Sequence, residues 1–379
     1  MNDSLKVSAV AERAPANIRA ISPYQPGKPI SELAREMGLA ETDIVKLASN
    51  ENPLGMSEAA REAALAALQD IARYPDGNGF ELKSVLSARL GVDAGQIVLG
   101  NGSNDILELA ARALLSPGDS AVFSQYAFAV YPLATNAAGG RGIEVPARDF
   151  GHDLDAMAAA IAPDTRIVFL ANPNNPTGTF LSGAAIEAFL ARVPADVLVV
   201  LDEAYTEYLE PAQRYDSIAW IARFPNLLVS RTFSKAYGLA GLRVGYGVGH
   251  PAVIDLLNRV RQPFNVSSVA LAAATAALGD EAFLARSAEI NRAGMRQFTE
   301  AFAALGLEWI PSAGNFVAVR VGDAAAINRS LLRQGVIVRP VAGYGMPEWL
   351  RVSIGLPDEN ARCIEALRVA LAEVRGAGR

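Results

Sequence analysis

Residues 197–201 read Val-Leu-Val-Val-Leu and run directly into Asp202-Glu203. A β-strand turns alternate side chains to opposite faces, so an unbroken apolar run needs apolar cover on both sides. A parallel sheet held between two layers of helices meets that demand. The middle of the chain repeats the pattern: Gln96–Gly100, Ser120–Ser124, Ile167–Ala171, Leu227–Ser230 and Val244–Val248 are short apolar runs separated by longer helical patterns. This alternation predicts an α/β fold, with a mainly parallel sheet flanked by helices. With 379 residues there is room for a second, smaller unit.

Both ends depart from the pattern. Residues 1–45 carry the proline-rich run Ser22-Pro23-Tyr24-Gln25-Pro26-Gly27-Lys28-Pro29, which is extended or turn-like. Val269–Leu278 is mostly alanine and reads as a buried packing helix. Phe316–Val321, Val336–Val338 and Trp349–Ile354 are strand-like, and a last helix from about Asp358 sets Ile364, Leu367, Leu371 and Val374 on one face. The expected division is an N-terminal arm that joins the small domain (1–45), a large domain (46–265) and a small α+β domain (266–379).

Composition removes several classes of function. The chain is 51% apolar and 20% charged, which suits a soluble globular protein. With 34 basic against 40 acidic residues it carries a net charge of −6, against a nucleic-acid partner. One cysteine (Cys363) and two histidines (His152, His250) leave little with which to build a metal site or a Ser-His-Asp triad, so no metal is expected. Both histidines read as structural. No apolar run is long enough for a membrane span. Asp3, Lys6, Glu12, Arg13 and Arg19 interrupt the first twenty residues and leave no secretory core. A cytoplasmic protein without a membrane partner is expected.

Four polar clusters follow predicted strands, where open α/β sheets bind ligands. Gly100-Asn101-Gly102-Ser103-Asn104-Asp105 opens a helix with free N–H groups that suit an anion; an ordinary capped helix start reads the same. Asn172-Pro173-Asn174-Asn175-Pro176-Thr177-Gly178 is a turn that can aim an amide at a ligand oxygen. Asp202-Glu203-Ala204-Tyr205 puts a carboxylate at a buried strand end, costly unless a cation pairs with it. A Walker-type Mg²⁺ role fails, because the chain has no Gly-x-x-x-x-Gly-Lys-Ser/Thr. Ser230-Arg231-Thr232-Phe233-Ser234-Lys235, then Gly238, Gly241 and Arg243, offers a lysine that forms a Schiff base if desolvated, or is one more surface lysine. The glycines at 245, 247 and 249 lie within a strand and open no helix, unlike a dinucleotide fingerprint.

Taken together, the clusters suit an aldehyde cofactor with a phosphate, a phenolic oxygen and a pyridine nitrogen. The order Asn175, Asp202, Lys235, Arg243, Arg351 resembles the fold-type I pyridoxal-phosphate aminotransferases, and within them the histidinol-phosphate aminotransferase family. The likeness spans nearly the whole chain: Ser22-Pro23-Tyr24, Leu47–Gly55, Arg73-Tyr74-Pro75-Asp76, Asn101-Gly102-Ser103, Asn174–Gly178, Asp202–Tyr205, Ser234-Lys235 and Leu350-Arg351-Val352. It implies pyridoxal 5'-phosphate bound to Lys235, which also moves the α-proton. It places Asp202 on the pyridinium nitrogen, Asn175 and Tyr205 on the ring oxygen, and Tyr126 stacked on the ring. Ser103, Asn104, Thr232, Ser234 and Arg243 would hold the phosphate. Tyr74 would reach the partner subunit's cofactor phosphate and Tyr24 the partner's substrate, in a homodimer. Arg351, with Arg339 and Asn52, would bind the anionic end of the substrate.

Two positions depart from the family pattern. Asn104-Asp105 stands where Asp-Glu is common, and Ser124-Gln125 precedes Tyr126 in place of Pro-Thr. The implied reaction is transamination between L-histidinol phosphate and 2-oxoglutarate, giving imidazole-acetol phosphate and L-glutamate. Aromatic amino acid transamination and decarboxylation of a phosphorylated amino acid are the alternatives on the same fold. A non-catalytic binding protein conflicts with the intact Lys235 and Asp202.

Overall fold

The computed structural model describes residues 9–24 and 26–377. Asp3 and Lys6 of the N-terminal reading, and Gln25 of the proline-rich run, lie outside the described residues. In chain order the strands are β1 (Val45–Lys46), β2 (Ile97–Gly100), β3 (Ser120–Ser124), β4 (Arg141–Val145), β5 (Thr165–Ala171), β6 (Leu198–Asp202), β7 (Leu227–Thr232) and β8 (Gly245–Gly249). The C-terminal part adds β9 (Trp309–Ile310), β10 (Phe316–Arg320), β11 (Val336–Ile337), β12 (Arg339–Pro340) and β13 (Trp349–Ser353).

Seven strands form one sheet in the order β2-β8-β7-β6-β5-β3-β4. β8 runs antiparallel to both its neighbours, and every other pair is parallel. Alternation along the central strands splits the core in two. Val199 and Leu201 of β6 join Val168 and Leu170 of β5 on one face, with Leu86 and Phe189 from covering helices. Leu198 and Val200 join Ile167 and Phe169 on the other, with Leu107, Tyr131 and Leu257. The α/β expectation is met. β4 escapes the sequence pattern because it is an edge strand pairing only with β3, and Arg141, Gly142 and Glu144 lie exposed on it.

The alanine-rich helix Ser268–Leu278 buries Ala270, Ala273, Ala274 and Ala277. Small side chains let it approach the helix Glu58–Ala67, whose Ala60 and Ala64 join the same core cluster. A second sheet, β12-β13-β10-β9, is antiparallel throughout. Val317, Val319, Leu350 and Val352 of this sheet pack on Leu367 and Leu371 of the helix Pro357–Ala377. β1 pairs in parallel with β11, tying residues 45 and 46 to the C-terminal part. No single helix among the described residues is long and apolar enough to cross a membrane.

In the large sheet Ala171 pairs with Asp202 and Asp202 with Ser230. The carboxyl ends of β5, β6 and β7 are therefore level, so the polar segments that follow them meet at one sheet edge.

Candidate active site

A cavity of about 240 Å³ opens at that edge, between the large sheet and the strands β12 and β13. Its wall includes Ser103, Asn104, Asn175, Asp202, Tyr205, Thr232, Ser234, Lys235, Arg243, Arg339 and Arg351, so residues far apart in the chain become neighbours.

Asp202, which ends β6, and Glu203, which follows it, are both buried, and they are stabilised differently. Glu203 forms the ion pair, with Arg231 at 2.9 Å. Asp202 has no such partner; its Oδ2 accepts a hydrogen bond from the Tyr131 hydroxyl at 2.9 Å, and its Oδ1 is buried without a partner in the protein. Burial pushes the Asp202 carboxyl up to about 6, against the opposing pull of Tyr131. An orphan carboxylate oxygen facing a cavity calls for a cationic donor in a ligand.

The three asparagines of the next loop divide the work. Asn172 holds Leu181 and Tyr215, Asn174 holds Tyr126 and Thr177, and only Asn175 reaches the cavity. The peptide bonds before Pro173 and Pro176 are both cis. Asn175 Oδ1 accepts from Arg351 Nη1, leaving its amide N–H groups for a ligand. Arg351 Nη2 donates to the Ala48 carbonyl at 2.8 Å, its guanidinium lies 5.3 Å from the Phe316 ring centroid, and its Nε is buried without a partner. No carboxylate forms an ion pair with it among the described residues, and Arg339 stands opposite it in the β12–β13 register. Two guanidinium groups on facing strand positions favour an anion between them.

At the other end of the cavity, the helix Ser103–Leu114 starts at Gly102, with φ of 81° and no side-chain cap. A Cβ on Gly102 would lie 2.5 Å from Arg243 Nη2, and one on Gly245 would lie 2.6 Å from the Ser103 nitrogen. Glycine is favoured at 102 by the positive φ and required at 245 by the close approach to backbone atoms. The Thr232 hydroxyl accepts from the Ser234 N–H at 3.1 Å, which leaves its own proton to donate. Arg243 Nη1 reaches Ser234 Oγ at 3.3 Å. Helix N–H groups, hydroxyls and a guanidinium converge as a phosphate requires.

Lys235 lies between these two anion sites. Its Nζ donates to the Ser49 carbonyl at 3.0 Å. Burial first, and then the positive charge of Arg351, push its pKa down to about 8, so a reactive neutral amine is accessible near neutral pH. Tyr205 OH accepts from Asn50 Nδ2 at 3.0 Å and keeps its proton for a ligand oxygen. The donors and orphan atoms thus fit a phosphate at the helix start, a ring nitrogen at Asp202, an oxygen at Asn175 and Tyr205, and an aldehyde at Lys235.

Three expected residues, Asn52, Tyr126 and Tyr24, are placed differently. Asn52 does not line the cavity: its Nδ2 donates to the Ala236 carbonyl and to Ser287 Oγ, both at 2.8 Å, and its Oδ1 accepts from the Leu54 N–H. Asn50 lines the wall instead, held in the left-handed region with φ of 54°. Tyr126 stacks on Phe150 at 5.7 Å, away from the cavity wall, where Phe128 and Tyr131 stand. Tyr24 lines its own chain's cavity, because Arg339 lies over its ring at 5.6 Å. Tyr74 is exposed and stacks on Phe264 at 4.8 Å. His152 is buried and bonds the Ala171 carbonyl at 2.8 Å. Among the described residues no group of three His, Cys, Asp or Glu side chains could hold a metal ion.

Sequence reasoning missed Asn50, Ser49 and Tyr131. Asn50 sits in the Leu47–Gly55 run, two positions before Asn52. Tyr131 carried no local signal.

Comparison with known proteins agrees with this geometry. Residues 42–367 match the family model of aminotransferase class I and II. The chain is 69% identical to histidinol-phosphate aminotransferase 1 of Cupriavidus pinatubonensis, over 94% of this chain and 96% of that protein. It is 66% identical to histidinol-phosphate aminotransferase 2 of Ralstonia nicotianae, over 96% and 98%. Among solved structures it resembles histidinol-phosphate aminotransferase from Sinorhizobium meliloti in complex with pyridoxal-5'-phosphate, with a TM-score of 0.88 and 30% identity over 96% of this chain and 98% of that one. This chain belongs to the histidinol-phosphate aminotransferase family, within the class I and II aminotransferases.

Proposed function

We propose that this protein transfers the amino group of L-histidinol phosphate to 2-oxoglutarate, giving imidazole-acetol phosphate and L-glutamate, with pyridoxal 5'-phosphate as cofactor. The observation that carries this reading is one cavity holding Lys235, the unpartnered Asp202 Oδ1 and the buried Arg351 without a carboxylate partner. The close relatives named as this enzyme supply the substrate. When bound, the cofactor supplies an aldehyde that condenses with amines and a ring that accepts the electron pair left by a departing proton.

The chain's own residues do the rest. The N–H groups of the helix start, Thr232, Ser234 and Arg243 bind the cofactor phosphate. Asp202 Oδ1 holds a proton on the ring nitrogen, while Asn175 and Tyr205 donate to the ring oxygen. Lys235 Nζ takes up the proton released at the substrate's Cα. Its depressed pKa suits that transfer near neutral pH. Arg351 and Arg339, with Tyr24, orient the anionic end of each substrate, phosphate in one half-reaction and carboxylate in the other. Tyr24, Arg339 and Arg351 line the cavity on the side of the second sheet.

The protein acts as a cytoplasmic homodimer in this reading. Leu65, Leu68, Ile71, Tyr74, Phe80 and Phe264 are all exposed, an apolar stretch that a second copy would cover. Tyr74 then reaches the neighbouring cofactor phosphate. Residues 1–45 serve as arm, 46–265 as the cofactor-binding domain and 266–379 as the small domain.

Half-reaction titrations test the substrate. Purified protein loaded with pyridoxal 5'-phosphate is mixed with histidinol phosphate, glutamate, phenylalanine or tyrosine, and cofactor absorbance is followed. Histidinol phosphate and glutamate should react with the highest kcat/KM. Faster reaction with phenylalanine or tyrosine would assign the protein to aromatic amino acids instead.

A further inference from the structure

The Tyr131 hydroxyl is fully buried, and its hydrogen bond goes to a carboxylate that the cofactor needs. The residue belongs to the helix Val130–Ala137, which packs beside the large sheet. Its ring lies parallel to Phe169 of β5, with centroids 4.8 Å apart and planes 5° apart, and meets Phe128 edge-on at 6.0 Å. The ring therefore has one orientation available, which aims the hydroxyl at Asp202 Oδ2. With Oδ2 occupied, the other oxygen is the one left over, and it has no protein partner.

We propose that Tyr131 is a positioning residue of this reaction, holding the Asp202 carboxylate charged and turned so that Oδ1 meets the cofactor's ring nitrogen. The proposal rests on the pyridoxal-phosphate reading above. A buried carboxylate that loses a donor shifts toward its neutral form, and a neutral carboxyl no longer stabilises a protonated ring nitrogen. The titratable and charged side chains acting on Asp202 include Tyr131, Glu203, Lys235 and Tyr205, and the Ala204 backbone N–H also favours its charged form. Those acting on Tyr131 are Asp202, Tyr205 and Tyr344. Glu203 works against the charged form and is itself paired with Arg231, so among the side chains Tyr131 and Lys235 are the two supports of the Asp202 charge.

The test compares apoprotein of the wild type and Tyr131→Phe, which keeps the ring and removes the hydroxyl. Affinity for pyridoxal 5'-phosphate is measured by quenching of tryptophan fluorescence between pH 5.5 and 8.5, with melting temperatures recorded in parallel. The variant should lose affinity on the acid side about one pH unit earlier than the wild type, so that it binds roughly threefold more weakly near pH 6.5, approaches a tenfold deficit at pH 5.5, and binds nearly as well at pH 8.5. Cofactor and Lys235 titrations are common to both proteins and cancel in the comparison. In an Asp202→Asn background the same Tyr131→Phe change should leave the pH profile unmoved. A loss of equal size at every pH, or the same loss in both backgrounds, shows that Tyr131 only packs and overturns the assignment. Wild-type protein that takes up no pyridoxal 5'-phosphate overturns the functional reading, and this assignment with it.

Discussion

Arg351→Lys separates substrate recognition from packing, because the structure specifies what lysine keeps and loses. Lysine retains the positive charge beside Lys235 and gives up the planar fork. In the native chain one prong of that fork holds Asn175 and the other the Ala48 carbonyl, so the guanidinium is fixed before substrate arrives. A single ammonium on a flexible stem cannot meet both acceptors and a substrate anion in the same geometry. Breaking one side of a buried charged contact costs on the order of 2–4 kcal/mol. That range corresponds to roughly a 30- to 900-fold fall in kcat/KM. The loss should appear for histidinol phosphate and for glutamate, measured as stopped-flow half-reactions, with the cofactor spectrum and apoprotein melting temperature unchanged. An ion-paired structural arginine would behave differently, but Arg351 forms no ion pair with a carboxylate among the described residues. A large drop in melting temperature with unchanged kcat/KM would refute the substrate role. Loss with glutamate alone would move the phosphate to Arg339 and Tyr24.

Lys235→Ala should abolish turnover and leave the fold intact, and borohydride reduction of the loaded wild type followed by peptide mapping should find the cofactor on Lys235; label on another lysine refutes the assignment. The uptake of pyridoxal 5'-phosphate by apoprotein should quicken as pH rises through about 8, where Lys235 gives up its proton; a rate without that inflection removes Lys235 as the reacting amine. Burial lowers the His152 pKa from 6.5 to about 4, so the folded chain binds fewer protons there than the unfolded chain, and stability falls as pH drops below about 6.5. Urea unfolding of apoprotein should show the wild type losing about 2 kcal/mol more than His152→Gln between pH 7 and pH 5. Asp202 and Glu207, raised to about 6 and about 7, act in the opposite sense and are shared by both proteins, so an equal loss in the two would disprove the His152 effect. Mixing Lys235→Ala chains with Tyr74→Phe chains should restore some activity if sites are shared between subunits; no gain despite demonstrated subunit exchange would place Tyr74 outside the site.

The large sheet was readable because burial on both faces writes itself into consecutive residues: Leu198 and Val200 face one core, Val199 and Leu201 the other. The polar segments after β5, β6 and β7 were readable for a related reason, since a buried strand that ends in Asn-Pro, Asp-Glu or Ser-Lys marks where the chain surfaces at a ligand edge. Strand β4 left no such trace, because an edge strand paired on one side needs little apolar surface.

Which side chain takes which role was decided by packing. The sequence presents Asp202 and Glu203 as equals, and the register of β6 and β7 gives Arg231 to Glu203 and leaves Asp202 facing the cavity. Asn50 and Asn52 are the same residue type two positions apart, yet a left-handed backbone at Asn50 turns it to Tyr205 while Asn52 is used up on Ala236 and Ser287. Tyr131 meets Asp202 across 71 residues of chain, and Ser353 meets Asn50 across 303. Local patterns record the environment of a stretch of chain, apolar or wet, one-sided or two-sided. They do not record the direction of a single hydrogen bond between distant segments, and that direction settles here which oxygen, amide or guanidinium remains free for a ligand.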